Sequence, residues 1–397
     1  MEMFRILGMV RHGGGSLVGL VTPSVTHGGG RSRRAIFLEN QLILGHPLPS
    51  PRTALACRAM PKLDATAIVV AYHFVRAVGS RRFNLRAHET PDRFREQVRQ
   101  ISDRFTVCST DELVDLRDDL DRRQVAIHFD DGAADVAREA LPILMEHGVT
   151  ATVFICSRPY LDGRLLDVQK IEYLVQRLGL KRFQSAFSIE LARQFPAGVV
   201  RESLDFADGY QFYRYDKREM REFKLDLNYR IPYSNVDPVL DVLFDGIFGA
   251  DAEAEAVRET YLSRDDLKKI VDAGVEIGVH THNHRVLPRL DLDSQRSEIA
   301  IGLEFVKQLT GVSDPSVAYP FGFSDKRTEI AISESGAAAG FSIGRRGITA
   351  ADLKSRWTIP RFDVNDCFDR NTNAIITDVF DPVTDFSKGS PQLSTGK

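Results

Sequence analysis

From Ala65 onward, short unbroken apolar runs alternate with longer stretches whose apolar residues recur every three or four positions. "TAIVVAYHF" reads as a buried strand, bounded by Asp64 and by the polar "RAVGSRR". "TPDRFREQVRQISDRF" predicts a helix with Thr90 as N-cap, Pro91 at the first helical position, and Phe94, Val98 and Ile101 on one face. "RQVAIHF" is a second strand running into "DDG", "ADVAREALPILMEHG" a helix ending at Gly148, and "TATVFIC" a third strand. The alternation resumes at Ser263. "SRDDLKKIVDAG" opens on a Ser263/Asp266 capping box and closes at Gly274, and "VEIGV" is a short strand. A long amphipathic helix follows in "DSQRSEIAIGLEFVKQLTG". Then come a strand and turn in "PSVAYPFG", a helix in "DKRTEIAISESG" and a strand in "AAGFSIG".

Repeated βα units of this size imply an α/β fold with a parallel sheet or barrel, its functional groups at the C-terminal ends of the strands. "FDDG" and "HTHNH" both occupy that place. Between them, residues 158–260 interrupt the pattern with eleven Phe or Tyr residues from Phe183 to Tyr233. A mostly helical insertion with its own small core accounts for this. A substrate-shaping lid or a dimer contact is the functional alternative, because aromatic rings stack on sugars. Residues 1–60 carry two glycine triplets, seven arginines and only two acids, Glu2 and Glu39. They are expected to be a disordered leader, or to precede the true start at Met60, leaving 61–397 as the domain.

Composition narrows the class. With 43% hydrophobic and 27% charged residues and a net charge of -3, the chain is a globular protein with no general affinity for nucleic acid. No stretch has the ~20 apolar residues of a membrane-spanning helix, and the leader's apolar run is too broken for a secretory signal. The four cysteines, Cys57, Cys108, Cys156 and Cys367, are widely spaced, which suggests neither a disulfide framework nor a cysteine zinc site. A cytoplasmic location is expected on these grounds.

Candidate chemistry centres on two motifs. Asp130 and Asp131 are adjacent carboxylates at a strand end, which repel unless a cation or a proton separates them; capping of the following helix is the alternative. Three of the chain's ten histidines, His280, His282 and His284, fall within "HTHNH". His280 and His284 share a face if the chain turns helically, whereas all three share one if it stays extended. Two imidazoles and one carboxylate make a three-ligand site with open positions, as in catalytic zinc, and leave the second carboxylate as a base.

These motifs resemble the NodB-homology polysaccharide deacetylases. "IHFDDG" is similar to that family's T-F-D-D-G, "EIGVHTHNH" to its E-I-G-x-H-[ST]-x-x-H, and "AYPFG" to its third motif through Pro320, Phe321 and Gly322. The resemblance implies a distorted (β/α) barrel of about seven parallel strands. It implies Asp131, His280 and His284 as metal ligands and Asp130 as the general base. Tyr319, Pro320 and Phe321 would lie at the oxyanion and substrate side, with the Phe321 N–H in the oxyanion hole. The chain departs from the family at two points. Ala318 stands where the third motif usually begins with an arginine, and no histidine follows His284 to serve as the late general acid. His73, at the end of the first strand, and Arg361, in "IPRFDV" after the last predicted strand, are the candidate replacements. A structural residue and an ordinary ion pair are the respective alternatives. His282 is expected to be a residue around the ligands or facing substrate, His128 a core histidine, and Arg345–Arg346 a solvated loop or an anion site.

The activity implied is hydrolysis of an N-acetyl or other N-acyl group from an amino sugar or glycan, a C–N amide bond other than a peptide bond. Zn²⁺ is the expected cofactor, with Co²⁺, Ni²⁺ or Fe²⁺ also acceptable to this donor set. A metallo-phosphoesterase or amidohydrolase would instead pair His280 with His282 and need later histidine ligands. A non-catalytic glycan-binding protein would keep the metal site and lack a competent acid.

Overall fold

A computed structural model of the protein describes residues 65–77, 88–116, 124–202 and 218–376. The expected leader at 1–60 lies outside them.

Among the described residues nine strands form one sheet. In chain order they are β1 (Ala65–Tyr72), β2 (Thr106–Val107), β3 (Gln124–Phe129), β4 (Thr152–Ile155), β5 (Glu276–Val279), β6 (Val317–Ala318), β7 (Gly340–Ile343), β8 (Ile348–Thr349) and β9 (Ile359–Asp363). Seven of them, β1-β3-β4-β5-β6-β7-β9, pair in parallel and close into a barrel, because β1 bonds to β3 on one side and to β9 on the other. β2 extends the sheet beside β3, and β8 runs antiparallel to the start of β1.

The two faces of each strand have different jobs, as the two-residue period requires. Ile68, Val70 and Tyr72 of β1, with Val125, Ile127 and Phe129 of β3, point outward and are buried under the surrounding helices. Ala67, Val69, Ala126, Phe154, Ala318, Phe341 and Ile359 point inward. His128 completes this plug, its ring 4.8 Å from Phe154 and 4.9 Å from Phe341, with Nε2 2.9 Å from Thr110 Oγ1. It is the core histidine expected, and it shares the inward face with Asp130. Burial keeps its pKa well below the usual value, so the imidazole is neutral.

The helices follow the local signals. Thr90 Oγ1 accepts from Arg93 N at the head of the helix Pro91–Ser102. Ser263 and Asp266 form their capping box, and Gly148 ends its helix in the left-handed region. The strand β9 was not read from sequence, since Pro360 interrupts "TIPRFD". It pairs with both β7 and β1 all the same, and Arg361 lies inside it rather than after the last strand.

The expected interruption is helical. Helices Arg158–Leu161, Asp167–Leu178, Leu180–Gln194, Arg218–Leu225, Tyr233–Phe248 and Ala252–Thr260 leave the barrel after β4 and return before β5. They bury a core of their own that includes Leu174, Phe183, Phe187, Val239, Leu240 and Phe244. Phe183, Phe187 and Phe223 meet edge to face at centroid separations of 5.3–6.4 Å. These aromatic side chains fill a core.

The inward plug constrains β5. A Cβ at Gly278 would lie 2.4 Å from the Phe154 ring. Gly278→Ala is therefore expected to destabilise the protein by about 1–3 kcal/mol, the usual cost of overpacking. Urea denaturation should show the loss, and the added Phe154→Leu substitution should recover part of it; equal midpoints in Gly278→Ala and the parent would refute the packing argument.

Candidate active site

The chemistry-bearing residues gather where β1, β3, β5, β6 and β9 approach one rim of the barrel. The register pairs Tyr72 with Phe129, so His73 and Asp130 are the next residues on adjacent strands, and Asp130 N donates to Tyr72 O at 2.9 Å. The turn after β3 then puts Asp131 in the left-handed region, φ 69°. This break lets neighbouring carboxylates serve one site. Neither caps the next helix, which begins with a π-helical turn at Val136–Ala140 preceded by Asp135.

After β5, Thr281 and His284 also take positive φ, 64° and 59°. Such backbone costs roughly 1–3 kcal/mol per residue and persists only where surroundings hold it. Here His284 N donates to Thr281 Oγ1 at 3.3 Å. Glu298, buried on the long helix Leu292–Thr310, accepts from the backbone N–H of His282 (3.1 Å) and Asn283 (2.8 Å) and from Asn283 Nδ2 (2.6 Å). Gly302 lets that helix come close, since a Cβ there would sit 2.5 Å from Val279.

The result is a compact donor set. Asp131 Oδ1 lies 3.5 Å from His280 Nε2 and 3.2 Å from His284 Nε2. Among the described residues these three form a group that could hold a metal ion, with one donor atom from each within 4.8 Å of the others. Ligands at about 2.0–2.1 Å from a tetrahedral cation stand roughly 3.3 Å apart, so the spacing fits. His280 Nδ1 lies 2.7 Å from the Ala318 carbonyl, to which it donates. That bond fixes the tautomer and leaves the Nε2 lone pair facing Asp131. Burial pushes the His280 pKa down to about 4, so the ring is neutral and able to ligate at neutral pH.

Asp130 is held differently. Arg361 Nη1 and Nη2 donate to its two oxygens at 2.8 and 2.9 Å, and both side chains are buried. Burial acts to raise the Asp130 pKa, but Arg361, His280 and His73 together outweigh it and hold the carboxyl well below the usual carboxylate range. Arg361 thus stands against the aspartate as expected, reaching it from inside the barrel. Ala318 contributes a carbonyl to His280.

The other expected residues divide. Phe321 has φ 60° and its ring lies 4.7 Å from His284. Pro320 is buried beside it in the same turn. Tyr319 does not join the site. Strand alternation turns it into the helix-side core, where its hydroxyl donates to Trp357 O at 2.5 Å. His73 is half-buried, its ring 6.3 Å from Phe74. His282 turns away from the donor set. Its Nδ1 meets Ser157 Oγ at 2.9 Å and its Nε2 meets Asp162 at 3.3 Å, so it ties β5's loop to the head of the insertion. Arg345 and Arg346 lie half-buried in their loop and are paired with Asp366 and Asp352, whose carboxylates already answer the charge an anion would meet. Glu298 escaped the sequence reading. The signal was present, an acid beside Ile299 on the buried stripe of an amphipathic helix.

A model of the polysaccharide deacetylase family matches residues 117–178 and 248–340. The chain is similar to the polysaccharide deacetylase family over these two stretches, which together make up less than half of it. The two matched stretches flank the middle of the insertion and contain Asp130, Asp131, His280, His284 and the Pro320–Gly322 turn. No curated protein matches the chain. Among solved structures, the Streptococcus pyogenes deacetylase PplD in complex with acetate is similar at 14% identity, covering 75% of this chain and 91% of that chain with a TM-score of 0.47. IcaB from Ammonifex degensii is similar at 16% identity over 75% of this chain and 91% of that one, TM-score 0.42. The BpsB deacetylase domain from Bordetella bronchiseptica is similar at 16% identity over 75% and 95%, TM-score 0.41. The family match supports deacetylation of a glycan as the activity at the coarse level.

Breaking a buried ion pair by removing one partner costs about 3–5 kcal/mol, and Arg361→Met should do so at neutral pH. The depressed Asp130 pKa makes the pair's contribution present above the ordinary carboxylate range and lost as pH falls through the folded value. The wild-type advantage over Arg361→Met, measured by urea unfolding, should therefore shrink in strong acid. A difference independent of pH would refute this account.

Proposed function

We propose that the protein is a divalent-metal-dependent hydrolase that removes an N-acetyl, or closely related N-acyl, group from an amino sugar within a glycan. The observation that carries this reading is the Asp131–His280–His284 donor set standing beside a second carboxylate, Asp130, that a buried arginine orients. Asp131, His280 and His284 would hold the cation, for which Zn²⁺ suits two imidazoles and one carboxylate. Bound there, the cation would polarise the amide carbonyl and acidify a water.

The chain's own residues account for the remaining steps. Asp130, ionised at neutral pH, accepts the proton of the attacking water, and Arg361 keeps both of its oxygens in place. So low a pKa makes it a weak base, suited only to a strongly acidified water. The backbone N–H of Phe321 serves the developing oxyanion. His73, adjacent to Asp130 in register, returns a proton to the departing amine. The amide C–N bond breaks as that proton arrives, giving the free amine and acetate.

The rival with His280 and His282 as the ligand pair is disfavoured by the bonds of His282 to Ser157 and Asp162. The decisive experiment measures metal content and acetate release from N-acetylated glycans in the same samples. The parent should carry about one cation per chain, and Asp131→Ala and His284→Ala should lose both cation and turnover. His73→Gln should keep the cation and lose roughly 10²–10⁴ in kcat, the usual worth of general acid–base catalysis. A metal-free parent would sink the proposal, and a metal-loaded parent that releases no acid would leave a glycan-binding role.

A further inference from the structure

The helical insertion touches the catalytic rim at more points than a movable cover would. The residue after His284 is Arg285, which is buried, and its guanidinium donates to Asp167 and Asp237 on the insertion helices Asp167–Leu178 and Tyr233–Phe248. Arg158 Nη1 joins Asp167 at 3.4 Å. The Arg285 guanidinium also lies 4.2 Å from the centre of the Tyr233 ring, and the Tyr233 hydroxyl accepts from Val286 N at 3.0 Å. Nearer the strand, Ser157 N donates to Thr281 O and Arg158 N to His282 O, both at 3.2 Å. The insertion therefore grips the ligand-bearing loop at Thr281, His282, Arg285 and Val286.

A second contact reaches the oxyanion side. Tyr229, in the π-helical turn Asp226–Arg230, places its ring 5.8 Å from Phe321 and 5.6 Å from Phe323. Phe321 in turn lies 4.7 Å from His284. Leu225, Tyr229, Val286 and Phe323 form a buried cluster against which Phe321 packs. Both rim residues held this way, His284 and Phe321, have positive φ, at 59° and 60°.

We infer that the insertion is a fixed wall of the active site, and that Arg285 and Tyr229 are positioning residues acting through His284 and Phe321. Opening the insertion as a lid would part the buried Arg285 guanidinium from both Asp167 and Asp237, leaving Asp167 only Arg158, a costly kind of break. The loop's left-handed residues have no helix or strand of their own to hold them, so an outside clamp keeps their geometry. This rests on the cation-site reading of Asp131, His280 and His284.

The test uses the full chain with Arg285→Met, Arg285→Lys and Tyr229→Leu. Amide hydrogen exchange is read over 279–290 and 317–324, Zn²⁺ affinity by competition with a chromophoric chelator, and acetate release as kcat and KM separately. Arg285→Met should speed exchange at 279–290 while β4 keeps its parent rate, weaken Zn²⁺ roughly 10–100-fold as loss of a ligand-orienting partner does, and lower kcat more than KM. Arg285→Lys should recover part of the affinity, and Tyr229→Leu should speed exchange at 317–324. Parent-like exchange and Zn²⁺ affinity in Arg285→Met would overturn the inference. If that variant does not fold, Asp237→Asn and Tyr229→Leu are read the same way, and parent-like values in both overturn it. A parent that neither binds Zn²⁺ nor releases acetate fails the cation-site reading instead, while the exchange data still decide whether the insertion clamps the loop.

Discussion

The closure of the sheet through β1 is the constraint on which the site depends. One strand bonds to β3 on its left and β9 on its right. Those neighbours bring the acid pair and the buried arginine, which lie 231 positions apart in the chain. Parallel pairing keeps all strand ends of one polarity at one rim, so the acids after β3 and the histidines after β5 meet there. With the bonds to β9 missing, Arg361 would not be held against Asp130, whose buried negative charge would lose its main compensation.

Much of this was legible in the sequence where the information is local. Helix caps at Thr90 and Ser263, the ending at Gly148, and strand runs leading into "DDG" and "HTHNH" depend on residues a few positions apart. What escaped depends on register between distant segments. Pro360 hid β9, and no spacing rule says that an arginine there points inward. Tyr319 sits next to Pro320 in the motif, yet one step along a strand reverses the face, and its ring goes to the helix side. His282 looked like a member of the histidine cluster and is instead held by Ser157 and Asp162, partners supplied by the head of the insertion.

The rim also shows how backbone strain is shared out. Asp131, Thr281, His284 and Phe321 all sit at positive φ, and none is a glycine. The histidine loop is held at several points: His284 by the Thr281 hydroxyl, the neighbouring Arg285 by its tether, and the intervening amides by Glu298. The helical packing around the rim keeps the donor set in place before any ligand arrives, which lowers the ordering cost of binding.

The inward plug has a further meaning for what can approach. Phe154, Phe341, His128 and Arg361 stop the bore completely, each at 1% exposure or less. The cylinder is thus a cup with a single mouth and no passage to its far end. A long polymer cannot be drawn through it like a thread through a bead. On the proposed reading such a polymer would be laid across the mouth or present a chain end to it, and the mouth's walls, above all the helical one, would select which sugar residue is reached.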